Sequence, residues 1–426
     1  MPEVSTTPRV HGLDWLRVLL VFGVFLFHAL HPYDAIPWVI KNDETSFAIT
    51  GVLMLFFPWG LPVLFLVAGA SAYFAGLRRS GRQFAKERTL RLAVPFAVGT
   101  VLLAPFQAWV VAQHQGTYSG SLVDFLPVWA GDLPFFFSPA MVSDWGWHLW
   151  FLGFLFAFSL LVWPLQRWLS GSGEGVVDRV ASFVTAHRGA ILLGVVPLIV
   201  ARVALHGVAP EEHGWTDFVY YGLFYIYGIV LLQDPRLLAA VRRDWKLGAV
   251  MAVVGVMTIG GGTGSGFITD AAWEPLDGPD AGSLVLNLAM PLAAYGAGLV
   301  VVAMAVAHLD RDTPLLRYGQ SVIVPFYVVH QPVVIGVAAV VVASDLGFWV
   351  KVAATLVASL AITMLLVEAI RRTPGLRALF GVRRGTGGPP GGGQLSGGAG
   401  VGVPSDSSAA STSSRLTPSR YSTESK

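Results

Sequence analysis

Ten apolar stretches, each about 17 to 25 residues long and so long enough to cross a bilayer as a helix, dominate this chain. They fall at roughly 15–33, 52–76, 92–112, 147–168, 189–206, 217–232, 246–262, 284–308, 320–343 and 348–370. Only 13% of the 426 residues are charged while 54% are hydrophobic, against about 25% charged in soluble domains. The fold class expected is therefore all-α, a polytopic membrane bundle. Pro58, Gly60 and Pro62 interrupt the second stretch, which predicts a kink or a late start there.

The connections alternate in sign. Arg78, Arg79, Arg82, Lys86, Arg88 and Arg91 fill the second; Arg167, Arg179 and Arg188 the fourth; Arg236, Arg242, Arg243 and Lys246 the sixth; Arg311 and Arg317 the eighth. The odd connections carry Asp34, Asp43 and Glu44, then Asp124, Asp132 and Asp144, then Glu211, Glu212 and Asp217, then Asp270, Glu274, Asp277 and Asp280. By the positive-inside rule, about ten spans with both termini cytoplasmic satisfy every loop. The first stretch lacks a cleavage site, so it is read as a retained span.

Residues 1–372 are read as the transmembrane domain, with the first helix from about residue 15. Residues 373–426 turn to Gly, Ser, Pro and Thr, a composition expected to remain a disordered cytoplasmic tail. The chain has no cysteine, which removes disulfides, iron–sulfur clusters and a thiol nucleophile. No internal repeat is evident, which weakens an inverted-repeat transporter reading.

Within this apolar background the ionisable residues stand out. Arg17 and His28 are eleven positions apart in the first stretch, a spacing that brings both to nearly one helix face about 16 Å apart. His31 lies one turn beyond. His330 in the ninth stretch and His148, followed by Trp150, at the start of the fourth fall in the same layer. A neutral imidazole there can act as a general base; it can equally serve as an interhelical hydrogen bond. Metal ligation lacks support, because no HExxH or comparable pair occurs.

Arg88 and Arg91, three apart, share a face where the third span begins. Two planar guanidinium groups suit phosphate oxygens, and the same residues at a helix end also serve to snorkel and orient. Asp14 and Arg17 read as a structural ion pair. Arg202 has no acidic neighbour in sequence, so it must find a partner, reach the interface or meet a substrate; Glu368 has Arg371 and Arg372 within a turn. Trp38, Trp59, Trp145, Trp147 and Trp150 fit an outer aromatic belt.

These residues carry a family resemblance. Gly-Leu-Asp-Trp-Leu-Arg at 12–17, ten further residues and His28, then Arg-Thr-Leu-Arg at 88–91, resemble the Arg-x10-His and Arg-x-x-Arg signatures of the acyltransferase-3 family of membrane proteins. The segments 64–71, 148–153 and 324–332 are similar to that family's other recurrent stretches, and the resemblance extends over about residues 10–385. It looks most like the branch containing the osmoregulated periplasmic glucan succinyltransferases, although Ala68 stands where many members have Ser.

The resemblance implies acyl transfer, of acetyl, succinyl or similar groups, from cytoplasmic acyl-coenzyme A to a hydroxyl of a saccharide or other envelope acceptor. His28 matches the essential base, while Arg17, Arg88 and Arg91 match positions associated with the donor's phosphates. His148, Trp150, Arg202 and His330 are candidates for the acceptor cavity. Acyl-coenzyme A is then a substrate, no bound cofactor, metal or nucleic acid is expected, and the surrounding partner is the cell membrane. The rival reading is a transporter or flippase for a saccharide or lipid-linked intermediate, with the histidines relaying protons.

Overall fold

The computed structural model describes residues 10–77, 79–209, 211–269 and 280–382. Every regular element among them is helical. In chain order these are α1 (His11–Leu30), α2 (Phe47–Leu77), α3 (Gly81–Arg88), a π-helical segment (Thr89–Ala93), α4 (Val94–Leu102), α5 (Ala104–His114), α6 (Leu122–Asp132), α7 (Ala140–Gly146), α8 (Trp150–Leu161), α9 (Trp163–Leu169), α10 (Glu174–Ala186), α11 (Val195–His206), α12 (Trp215–Leu231), α13 (Pro235–Gly264), α14 (Ala281–His308), α15 (Pro314–Val342), α16 (Phe348–Arg372) and α17 (Pro374–Leu379). Short 3-10 turns occupy His31–Tyr33, Trp147–Leu149 and Ala190–Gly194.

Each of the ten apolar stretches coincides with helix, but they do not all qualify as spans. Among the described residues seven segments are long and apolar enough to cross a membrane, and a bent pair, Ala140–Leu161 with Trp163–Leu169, makes up to eight. Ala190–His206 is shorter than a full span, and α12 has only 17 residues. The late start expected for the second stretch does not occur: α2 begins early, at Phe47, and Pro58 and Pro62 lie within it. The boundary expected at residue 373 falls before folded chain, since α17 follows it and Phe380 is buried; residues 383–426, most of the expected tail, lie outside the described residues, as do Asp270, Glu274 and Asp277.

Helix α16 shows why this is a multi-pass membrane protein. It buries Thr355, Ser359 and Thr363 completely, one turn apart, and exposes Trp349, Val350, Val357 and Leu365. A soluble protein would reverse that distribution; in lipid the apolar face is the solvated one.

Helix α1 packs against α2, α14 and α15, so its side chains meet the bundle interior. The chain approaches closely where small residues permit it. A Cβ on Gly12 would lie 2.5 Å from the Ala305 carbonyl oxygen of α14, and one on Gly69 would lie 1.9 Å from that of Tyr225 in α12. Gly12 N–H also donates to Asp310 (3.0 Å) and the Trp15 indole to the Arg311 carbonyl (3.2 Å). The loop carrying Arg311 thus sits at the same end of the bundle as Arg17.

Candidate active site

At the opposite end, α1 runs unbroken to Leu30, which delivers His28 to an open cavity of about 630 Å³. His148, Trp147, Trp150, Gln331, His213, Ser143, Asp144 and Pro134 also line it. His330, fully buried, stands behind the wall. Its ring centroid is 5.4 Å from that of His28 and 5.2 Å from that of His148. Three imidazoles from α1, α15 and the turn before α8 therefore meet.

Local sequence explains how two of them are held. Pro332 has no N–H, so the Val328 carbonyl four residues earlier loses its helical donor. His148 Nε2–H supplies it instead, at 3.1 Å. The Tyr327 hydroxyl donates in return to the His148 carbonyl, which latches α15 to the 147–149 turn. His330 Nδ1–H donates to the Tyr327 carbonyl at 2.6 Å. A carbonyl can only accept, so the neutral forms of these rings have bare nitrogens at His148 Nδ1 and His330 Nε2. Both atoms, and His28 Nδ1, are buried without a hydrogen-bond partner among the described residues.

The loop after α1 sets the fourth side of the site. Asp34, fully buried, accepts from His31 Nδ1 (2.8 Å) and Lys41 Nζ (2.7 Å), and Lys41 also donates to the carbonyls of His31 and Asp34. Burial alone would push the Asp34 carboxyl up, but the hydrogen bonds from His31 and Lys41 and their charges hold it below its ordinary value. Thus braced, the loop lays Trp38 against both His31 and His28, with ring centroids 5.1 and 6.2 Å apart.

The far wall contains residues that the sequence did not single out. His213 stacks on Trp150 with centroids 3.9 Å apart, and its Nδ1 lies 3.0 Å from Ser143 Oγ. Its φ is +58° and that of Trp147 is +51°, the two positive values outside glycine among the described residues. Both line the same cavity. Backbone held in this region by its surroundings is concentrated at functional sites. Nothing in the local sequence marks His213, whereas Gln331 could have been noticed beside His330; its Oε1 is buried and unpartnered.

Arg202 does not line the histidine cavity. Its Nη1 lies 3.2 Å from Asp217, its Nε donates to Asn287 at 2.9 Å, and its guanidinium covers the Tyr220 ring. A buried guanidinium needs such partners, and they come from α12 and α14. The link to the site is indirect: Asp217 Oδ2 also accepts from the His213 N–H, at 2.9 Å.

At the other end, Arg17 approaches Asp14 and Ser71 Oγ, each at 3.5 Å. Arg88 and Arg91 sit at a π-helical segment, so α-helical spacing does not set their relation. Arg88 covers the Phe84 ring, and Arg91 lies 3.5 Å from Glu87, which also pairs with Arg79. Glu368 pairs locally with Arg371 and Arg372 and accepts from Tyr318. Among the described residues no cluster of three or more His, Asp or Glu is arranged to hold a metal ion.

Fold and site define a multi-pass helical membrane protein with an open cavity lined by imidazole and indole rings. The chain belongs to the acyltransferase-3 family: the model of that family, described as an acyltransferase domain, matches residues 10–368. Membership implies an acyl-transfer enzyme. No curated protein and no solved structure matches the chain.

Proposed function

We propose that this protein moves an acyl group, acetyl, succinyl or similar, from a cytoplasmic acyl-coenzyme A to a hydroxyl of a saccharide or another cell-envelope acceptor. The observation that carries this reading is the position of His28 in an open cavity, on the same continuous helix as Arg17, in a chain of the acyltransferase-3 family. On this reading the arginine end and both termini lie at the cytoplasmic face of a cell membrane, as the positive-inside rule expects for the basic connections. Arg17, Arg88 and Arg91 then bind or surround the phosphates of the donor, and the acceptor enters the cavity at the other end.

In the reaction, His28 takes the proton of the acceptor hydroxyl as its oxygen bonds to the thioester carbon. The tetrahedral intermediate expels the coenzyme A thiolate, which takes the proton back from the imidazolium. An ester and a free thiol result. His330 and His148 keep His28 in a layer of proton acceptors, and Trp147 and Trp150 offer flat faces for a sugar ring. A saccharide acceptor also agrees with the glucan succinyltransferase likeness.

The test is to incubate purified protein in detergent with acetyl- or succinyl-coenzyme A and a cell-envelope glycan extract, and to measure free thiol. Thiol release that depends on the protein and on His28 supports the reading. Its absence with both donors, together with glycan or lipid-linked sugar transport in vesicles, would favour a transporter.

A further inference from the structure

A second cavity, of about 250 Å³, is lined by residues of α2, α10, α12, α13, α14 and the 190–194 turn, and it shares no lining residue with the histidine cavity. Its floor is formed by Leu66, Phe224, Leu237, Leu299 and Val302, all buried. Two tyrosines reach it, but their hydroxyls are committed to carbonyls: Tyr227 to Gly194 and Tyr295 to Ile191, each at 2.8 Å. The interior therefore presents carbon, and water would find too few partners there.

The mouth is equally apolar but exposed. Val180 is 44% exposed, Phe183 49% and Leu193 58%. Val180 and Phe183 belong to α10, which turns Val177, Ala181 and Val184 inward and leaves Val176, Val180 and Phe183 outside, four and three positions apart. An exposed apolar stripe on a short helix that also carries Glu174, Asp178 and Arg179 is the pattern of a helix lying at a membrane interface.

Cations flank this mouth. Arg243 donates to the carbonyls of Val184, Thr185 and His187, and Val184 itself lines the cavity. Arg188, in the link between α10 and the lining residue Ala190, has a side chain 77% exposed. Both arginines share a single buried carboxylate, Asp244, at 2.7 and 4.0 Å. Around Asp244 two positive charges meet one carboxylate, and Arg188, the more distant and more exposed of the two, is the cation left for an anion beside this apolar slot, whereas towards the start of α10 Asp178 and Asp234 share Arg236.

We infer that this cavity holds an acyl chain of one anionic phospholipid, with the headgroup phosphate at Arg188. The lipid chain is the apolar solute that meets such a mouth at the interface, and the unbalanced arginine selects the charge of its headgroup. This binding site is independent of the acyl-transfer chemistry.

Native mass spectrometry of the purified full-length protein, given palmitoyl-oleoyl phosphatidylglycerol or the matching phosphatidylcholine in detergent, tests it. Wild type should retain one phosphatidylglycerol in preference to phosphatidylcholine. Arg188→Gln should abolish the preference. Leu193→Asp, at an exposed position, should reduce retained lipid by about tenfold or more in protein that thermal unfolding shows to be folded, because a charge is costly at a chain-binding mouth. Val302→Trp, which fills the floor, should act likewise if thermal unfolding shows it folded. Three results would overturn the inference: no retained lipid on wild type, equal retention in Leu193→Asp, or a dimer mass in place of the lipid adduct.

Discussion

His148 occupies the hydrogen-bonding place that Pro332 leaves vacant: its Nε2–H donates to the Val328 carbonyl at 3.1 Å, a bond between residues 180 positions apart in the chain. The relation couples a proline in α15 to the orientation of a cavity ring. His148→Phe should therefore destabilise by about 1–3 kcal/mol, since it strands a buried carbonyl. In the double variant with Pro332→Ala, the new backbone N–H can take over, and part of that loss should return. Additive losses in a thermal-unfolding cycle would disprove the coupling.

His28→Ala should lower acyl transfer by about 10²-fold or more while leaving yield and unfolding temperature close to wild type, as expected for a positioned base. Coenzyme A release by the purified variant decides the matter. Activity retained in folded protein would end the proposed role.

Arg88→Ala and Arg91→Ala should raise the donor's KM more than the acceptor's. Lys at either position should restore less than the full effect if two-pronged phosphate binding matters. Equal changes for both substrates would assign the two arginines to orientation or packing.

Arg202 supports the wall through Asp217, so Arg202→Ala leaves a half-buried carboxylate without its main partner. A loss of about 3–5 kcal/mol is expected for breaking such a pair. Asp217→Asn in the same background should recover stability, because the amide can still accept from the His213 N–H without carrying a charge. Unfolding curves of the single and double variants provide the comparison.

The Asp34 carboxyl is held below its ordinary value, so the folded state binds fewer protons than the unfolded one as pH falls through the carboxylate range. Its stabilisation is complete above the ordinary value of 3.8 and disappears as pH drops through the lower folded value. Asp34→Asn should accordingly cost about 1–3 kcal/mol at neutral pH and little once wild-type Asp34 is protonated. A constant difference at every pH would contradict the linkage.

What the sequence determined on its own follows from solvent and spacing. Long apolar stretches can only be helices in a bilayer, because every backbone group must be paired within its own segment. Eleven residues of one unbroken helix fix the separation of Arg17 and His28 whatever surrounds them, and the short motifs were enough to point to the family. What only the tertiary structure decided are the relations between distant segments. Arg202 could be recognised as needing a partner, but Asn287, 85 residues away, could not be named. His213 became a cavity residue because Asp217, Ser143 and Trp150 hold it at positive φ. Arg88 and Arg91 left the α-helical relation because the chain adopts a π turn between them. The same holds for span length: hydropathy locates the helices and Pro164 marks where α8 bends into α9, but packing sets how α2 continues through two prolines. Such features depend on which helices meet, and no local periodicity encodes that.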